Sequence, residues 1–559
     1  MAIQMTDNGY TAHRELFERV VSEYELFTGS DLHIEFRIDR EVGPAESFLL
    51  ERRQDTVFIT GADTLGLYYG IGKLAHNAWR IGEPSLWGTV TAPRGSFRAV
   101  YWCAHFYNWF AMAPEEEQAR YLEELLLWGY NTVVSGVGIV NCETENDPAF
   151  IRDAEKCRKI FAAAKRLGMH TGLLLSTNQS FRNMPKELAA DLSYDIDGMR
   201  GSLGQNVCPE APGALAYLRQ IWQARFRPFA DIDMDYIIPF PYDEGGCGCE
   251  KCRPWGANGY LRSAEQMVRT ARTFFPHCQC ILSTWLFDVP GPQNEYEGLY
   301  RGLADGMEWC SGLMADNHNA FPEYPLQHPL LRPVFNFSEI SMWGLFPWGG
   351  WGAHPLPKRF QRIWESTRHV VSGGMPYAEG IYEDSSMVQM VGYYWKKDRH
   401  YRDILEEYAA FEFGPRLRRE AVELMEKIEI NTTRVANGEA PDMDTAAYAA
   451  QLAERINTDL PEKRRTAWRW RFLFDRAMLD RKRYSYYTEH TAKTQKDLWL
   501  LKYKSGRWLR EDPKAQEMLR ELMRLDHAVP YNGWNAWTLP PVDGMDIVPG
   551  LAEPEDAGT

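Results

Sequence analysis

The run Tyr236-Ile237-Ile238-Pro239-Phe240-Pro241-Tyr242-Asp243-Glu244-Gly245-Gly246-Cys247-Gly248-Cys249-Glu250-Lys251-Cys252 passes from an apolar strand to two adjacent carboxylates, two glycines and three cysteines. A buried strand that stops on acids and a tight Gly-Gly turn is how an α/β barrel presents reactive side chains, at the C-terminal ends of its strands. Outward from this run, between Phe97 and about Gly414, short apolar segments alternate with helical stretches, which predicts βα units and a parallel sheet. Eight strands are expected, near Arg98 to Cys103, Thr132 to Val137, His170 to Leu175, Tyr236 to Phe240, Cys280 to Trp285, Gly312 to Ala315, Val334 to Phe337 and Gly374 to Ala378. The fold class is therefore α/β, a (β/α)8 TIM barrel whose site lies at the strand C-termini.

Three regions are expected. Residues 1–92 read as a small N-terminal α/β domain, with helices from Thr11 to Phe27 and from Thr64 to Trp79, the second capped by Asp63, and strands near Leu32 to Ile38 and Thr56 to Thr60. Pro93-Arg94-Gly95 marks the boundary to the barrel, 93–414. Residues 415–559 read as a helical region, buttressing the barrel or making a homo-oligomer contact, with an acidic tail, Glu553 to Thr559, expected to be disordered.

Composition narrows the partners. With 62 Lys and Arg against 77 Asp and Glu, the net charge of −15 argues against nucleic acid and anionic membranes. Aromatic residues make up 13% of the chain, with 20 Trp; most pack a core, and some offer flat faces that stack on sugar rings. Met1 to Tyr10 lacks a basic stretch followed by an apolar one, so a soluble cytoplasmic protein with reduced thiols is expected. Polar and aromatic residues gather at the expected strand ends: His105, Asn178, Trp285, Asp316, Asn317, Trp343, Glu379 and Tyr382.

On three features the chain resembles the β-N-acetylhexosaminidases of glycoside hydrolase family 20 and related β-N-acetylgalactosaminidase families. Val57-Phe58-Ile59-Thr60-Gly61-Ala62 with Gly66-Leu67-Tyr68-Tyr69-Gly70-Ile71 looks like the domain that precedes those barrels. Phe97-Arg98, a strand, and the helix ending Leu126-Leu127-Trp128-Gly129-Tyr130-Asn131-Thr132 resemble the first βα unit. Asp243-Glu244 at the fourth strand end resembles the acid pair. Phe240-Pro241-Tyr242 stands where family 20 has His-x-Gly-Gly, and Cys-x-Cys-x-x-Cys follows, so the resemblance is to a sister family.

The resemblance implies exo-acting hydrolysis of an N-acetylhexosamine-containing glycan, with the substrate's own acetamido oxygen as nucleophile and retention through an oxazolinium ion. It implies Glu244 as acid and base, Asp243 orienting the acetamido group, and Arg98 holding sugar hydroxyls. His105, Trp285, Asp316, Asn317, Trp343, Glu379 and Tyr382 are further candidates for sugar contact. Two alternatives stay open: an inverting, α-glucuronidase-like enzyme with Glu244 as acid and Glu379 or Asp316 as base, and a non-catalytic carbohydrate-binding protein. The chemistry needs no cofactor. Cys247, Cys249 and Cys252, with Cys208 as a fourth ligand, have spacing suited to a structural zinc, with reduced cysteines as the other reading.

Overall fold

The computed structural model describes residues 4–6, 8–28, 32–79, 84–104, 109–140, 142–192, 205–242, 245–288, 295–317, 320–338, 354–378, 380–436, 439–489 and 513–525. The N-terminal unit is a four-stranded sheet of β1 (Gln4–Thr6), β2 (His33–Ile38), β3 (Phe48–Arg53) and β4 (Thr56–Gly61), in the order β1-β2-β4-β3. Helices Thr11–Tyr24 and Thr64–Lys73 belong to it, and the second starts as its sequence dictates, with the Asp63 carboxylate accepting from Gly66 N at 2.8 Å.

Eight parallel strands then close on one another: β5 (Phe97–Tyr101), β6 (Thr132–Ser135), β7 (His170–Ser176), β8 (Tyr236–Phe240), β9 (Gln279–Ser283), β10 (Gly312–Asn317), β11 (Val334–Ser338) and β12 (Val371–Gly374). All eight expected strands are present in sequence order. Only the last is offset: it starts at Val371, yet Met375 N and Tyr377 N still donate to Asn336 O and Ser338 O, at 2.9 and 2.8 Å, carrying extended chain to the barrel mouth.

Alternation along the strands sorts side chains into layers. Phe97, Tyr236 and Phe335 meet inside the lower barrel, with ring centroids 5.2 and 4.9 Å from Phe97. Near the mouth, Tyr101, Phe337 and Tyr377 meet at 5.4 to 6.3 Å. Arg98, between two inward-facing neighbours, therefore points out of the barrel. Its guanidinium, fully buried, donates to Gly129 O, Gly95 O, the Glu46 carboxylate and Tyr69 OH, joining the N-terminal unit to the strand starts. This corrects the role the resemblance implied for it: Arg98 is a joint at the opposite end of the strands from the mouth.

Helices Tyr401–Glu412, Arg418–Ala436, Met443–Asp459, Trp468–Glu489 and Pro513–Leu525 follow the barrel. Arg469, buried, pairs at 2.7 Å with both Asp384 and Glu124 of barrel helices, and Tyr24 of the first helix donates to Glu412. No helix among the described residues is long and apolar enough to cross a membrane.

At the start of β8, burial alone would raise the Asp235 carboxyl. Bonds from His170, Lys165 and Thr171 N outweigh it and hold the group at about 2, below its usual 3.8. A depressed acid stabilises the fold above its unfolded pKa and loses that contribution as pH falls through the folded one. Asp235→Asn is thus expected to cost about 2 kcal/mol at neutral pH and only a small part of that near pH 2. Urea unfolding of both proteins between pH 5 and 2 checks this; a gap that stays constant with pH would contradict it.

Candidate functional site

Strand β8 ends against the mouth, and the residues on either side of Asp243-Glu244 are fixed. On the N-terminal side, Tyr242 is fully buried and its hydroxyl donates to the Glu295 carboxylate, while Trp255 Nε1 donates to Pro241 O at 2.6 Å. Tyr260 OH lies 2.8 Å from both Pro239 O and Ser283 O, linking β8 to β9. On the C-terminal side, the Asn178 amide donates to Gly246 O at 2.8 Å and to Val207 O at 2.9 Å, and its oxygen accepts from Gly246 N at 3.1 Å. Asn178 is buried just past β7, so one carboxamide pins the loops after two neighbouring strands.

Both glycines of the turn are demanded by geometry. A side chain on Gly245 would sit 2.4 Å from Pro241 O and 2.9 Å from Ser176 Oγ, and Gly246 has φ +124°. Gly246→Ala is expected to cost about 1 to 3 kcal/mol from the left-handed backbone. Thermal unfolding measures it, and an unchanged midpoint would contradict the turn geometry.

Sulfur surrounds the same turn. Cys208, Cys247, Cys249 and Cys252 place their four sulfurs within 4.8 Å of one another, with Cys208 and Cys249 Sγ 3.7 Å apart. All are free thiols, and three are buried. The quartet selected from spacing is thus assembled in space, with Cys208 arriving from the loop after β7 and the others from the loop after β8.

Trp285, 5% exposed, follows β9 and meets Phe240 at 5.6 Å and, edge-on, Phe337 at 5.4 Å, an apolar wall beside the end of β8. Asp316, buried, and Asn317 end β10. Burial, and then the charge of Asp316, push the Tyr296 phenol well above its usual range. Tyr382, 4% exposed, lies at the junction with the C-terminal helices, its ring 6.3 Å from that of Phe472, so packing accounts for its burial. Asp243, Glu244, His105, Trp343 and Glu379 lie outside the described residues.

Sequence reasoning passed over Tyr242, Trp255 and Glu295 as supports of the turn. Glu295 is 53 residues from its tyrosine, and no local pattern announces such a pair.

Neither a protein-family model nor a curated protein sequence matches the chain. Solved structures do. A family 138 glycoside hydrolase targeting pectin rhamnogalacturonan II aligns over 94% of this chain and 91% of its own, with 10% identity and a TM-score of 0.57. A family 115 4-O-methyl-α-glucuronidase with specificity for decorated arabinogalactans aligns over 94% and 76%, with 12% identity and a TM-score of 0.59. A family 89 glycoside hydrolase from Clostridium perfringens, complexed with GlcNAc-α-1,4-galactose, aligns over 92% and 66%, with 13% identity and a TM-score of 0.60. At these identities the likeness establishes the fold, one shared with glycoside hydrolases.

Proposed function

We propose that the protein is a glycoside hydrolase that removes terminal β-linked N-acetylhexosamine by substrate-assisted, retaining catalysis, with Glu244 as general acid and base and Asp243 as the group that orients the acetamido N–H. The observation that supports this reading is that the chain is held immediately before and after Asp243-Glu244, by the Tyr242–Glu295 anchor and the Asn178–Gly246 clamp, and that Trp285 packs against Phe240 at the end of β8. Adjacent carboxylates suit this chemistry: one must lose and regain a proton while the other stays ionised, and a charged neighbour raises the first. Asp243, held ionised, would stabilise the oxazolinium cation as it forms. A family 89 enzyme of this fold holds an α-linked N-acetylglucosaminide, which supports an acetamido sugar as the substrate and not its β linkage.

Hydrolysis of paired aryl β-N-acetylgalactosaminide and β-N-acetylglucosaminide substrates, with and without an oxazoline-mimicking thiazoline, tests the reading. Cleavage blocked by the thiazoline is expected. Failure to cleave either sugar would overturn it.

An inverting reading has one observation in its favour: Asp316 is a buried carboxylate at the end of β10, on the same rim as β8, where a distant base for Glu244 is required. Cleavage of an α-glucuronide that is lost in Asp316→Asn would establish it in place of the first.

A further inference from the structure

We propose that Cys208, Cys247, Cys249 and Cys252 bind one Zn2+ in a closed, tetrahedral site whose task is to cross-link the loop after β7 to the loop that carries Asp243 and Glu244. This goes beyond the hydrolase reading and stands without it.

Four thiolates about 2.3 Å from a zinc ion at the corners of a tetrahedron stand about 3.8 Å from one another. The Cys208 and Cys249 sulfurs stand 3.7 Å apart, and all four lie within 4.8 Å of each other. That separation is far beyond the roughly 2.05 Å of an S–S bond, and a set of four converging sulfurs offers no pairing that leaves the rest explained. Four sulfurs fill a tetrahedron and leave no position for water, so the ion would be structural and would not activate a nucleophile.

The surroundings suit bound thiolates. Backbone N–H groups of Glu210 and Cys249 face the sulfurs of Cys208 and Cys247, the kind of outer-shell donor that steadies a metal-bound thiolate. Gly248 N donates to Asp191 O at 2.6 Å and Cys208 N to Leu188 O at 2.8 Å, holding both ligand segments against the segment 188–191.

The consequence for the barrel lies in the connectivity. Asn178 already joins Val207, next to Cys208, to Gly246, next to Cys247. A zinc beside it would make a second link between the same two loops, one residue further along each. The acid pair would then be tied to β7 through the metal as well as to β8 through the chain.

Metal analysis of the full chain purified without chelator is expected to give one zinc per chain. Cobalt exchanged into the site is expected to show the visible bands of a tetrahedral tetrathiolate, and a thiol reagent is expected to reach the four cysteines only after a strong chelator is added. Cys249→Ser, the substitution at the most exposed of the four, is expected to lose the zinc, and Cys310→Ser, a buried thiol elsewhere, to keep it. Metal-free protein with four reactive thiols, a disulfide among the four cysteines, or iron in place of zinc would each overturn the proposal. These readouts need no turnover, so their failure is distinguishable from failure of the hydrolase reading, and the wild-type measurements decide the matter if Cys249→Ser does not fold.

Discussion

Glu244→Gln is expected to hydrolyse an alkyl β-N-acetylhexosaminide about 1,000-fold more slowly than wild type, because the amide can neither protonate the leaving oxygen nor take a proton from water. The loss should shrink with a nitrophenyl leaving group, whose oxygen needs little protonation. Asp243→Asn is expected to lose about 100- to 1,000-fold on both substrates, since the charge proposed to steady the oxazolinium cation would be gone regardless of the leaving group. Steady-state kinetics on the two substrate types separates the roles. Equal losses on alkyl and nitrophenyl substrates in Glu244→Gln would deny it the part of general acid.

The second large effect is on stability, at the other end of the strands. Arg98→Met is expected to destabilise the protein by about 3 to 5 kcal/mol, because it removes the charge that compensates Glu46 and breaks bonds to Gly95, Gly129 and Tyr69 in a buried joint. Arg98→Lys is expected to lose much of the same, since an ammonium cannot span the separated acceptors that the guanidinium fork reaches. KM of the folded variants should stay at the wild-type value. Urea unfolding with kinetics at low temperature checks both statements. Normal stability with a raised KM would return Arg98 to the sugar-binding role that the resemblance implied.

Arg98 also shows where sequence reading runs out. A Phe-Arg pair at the start of a strand says that a cation is present and not which side it faces; the facing depends on Phe97 meeting Tyr236 and Phe335 inside the barrel, contacts spanning more than a hundred residues. The eight strands were legible because each is a short apolar run bounded by turn residues, a purely local signal. Strand β3 escaped because half of Phe48–Arg53 is charged and its pairing with β4 supplies the order that its composition does not. The cysteine quartet was legible because thiols clustered at ligand spacing are rare and have few uses. Tyr242 and Glu295 were not, since a buried phenol–carboxylate pair leaves no trace until the loops after β8 and β9 are folded together.

The local signals thus located the mouth of the barrel, and the tertiary contacts reveal how the turn after β8 is held, by an aromatic anchor before the acids and a carboxamide clamp after them. A loop fixed on both sides loses little conformational freedom in a transition state, which is what the proton transfer proposed for the carboxylate pair requires.

The most direct test of the central claim is the stereochemistry of the first product, read by proton NMR of the anomeric signal while a β-N-acetylhexosaminide is being hydrolysed. Release of the β-hemiacetal before mutarotation is the predicted result. Release of the α-hemiacetal, which requires inversion and a distant base, would contradict it.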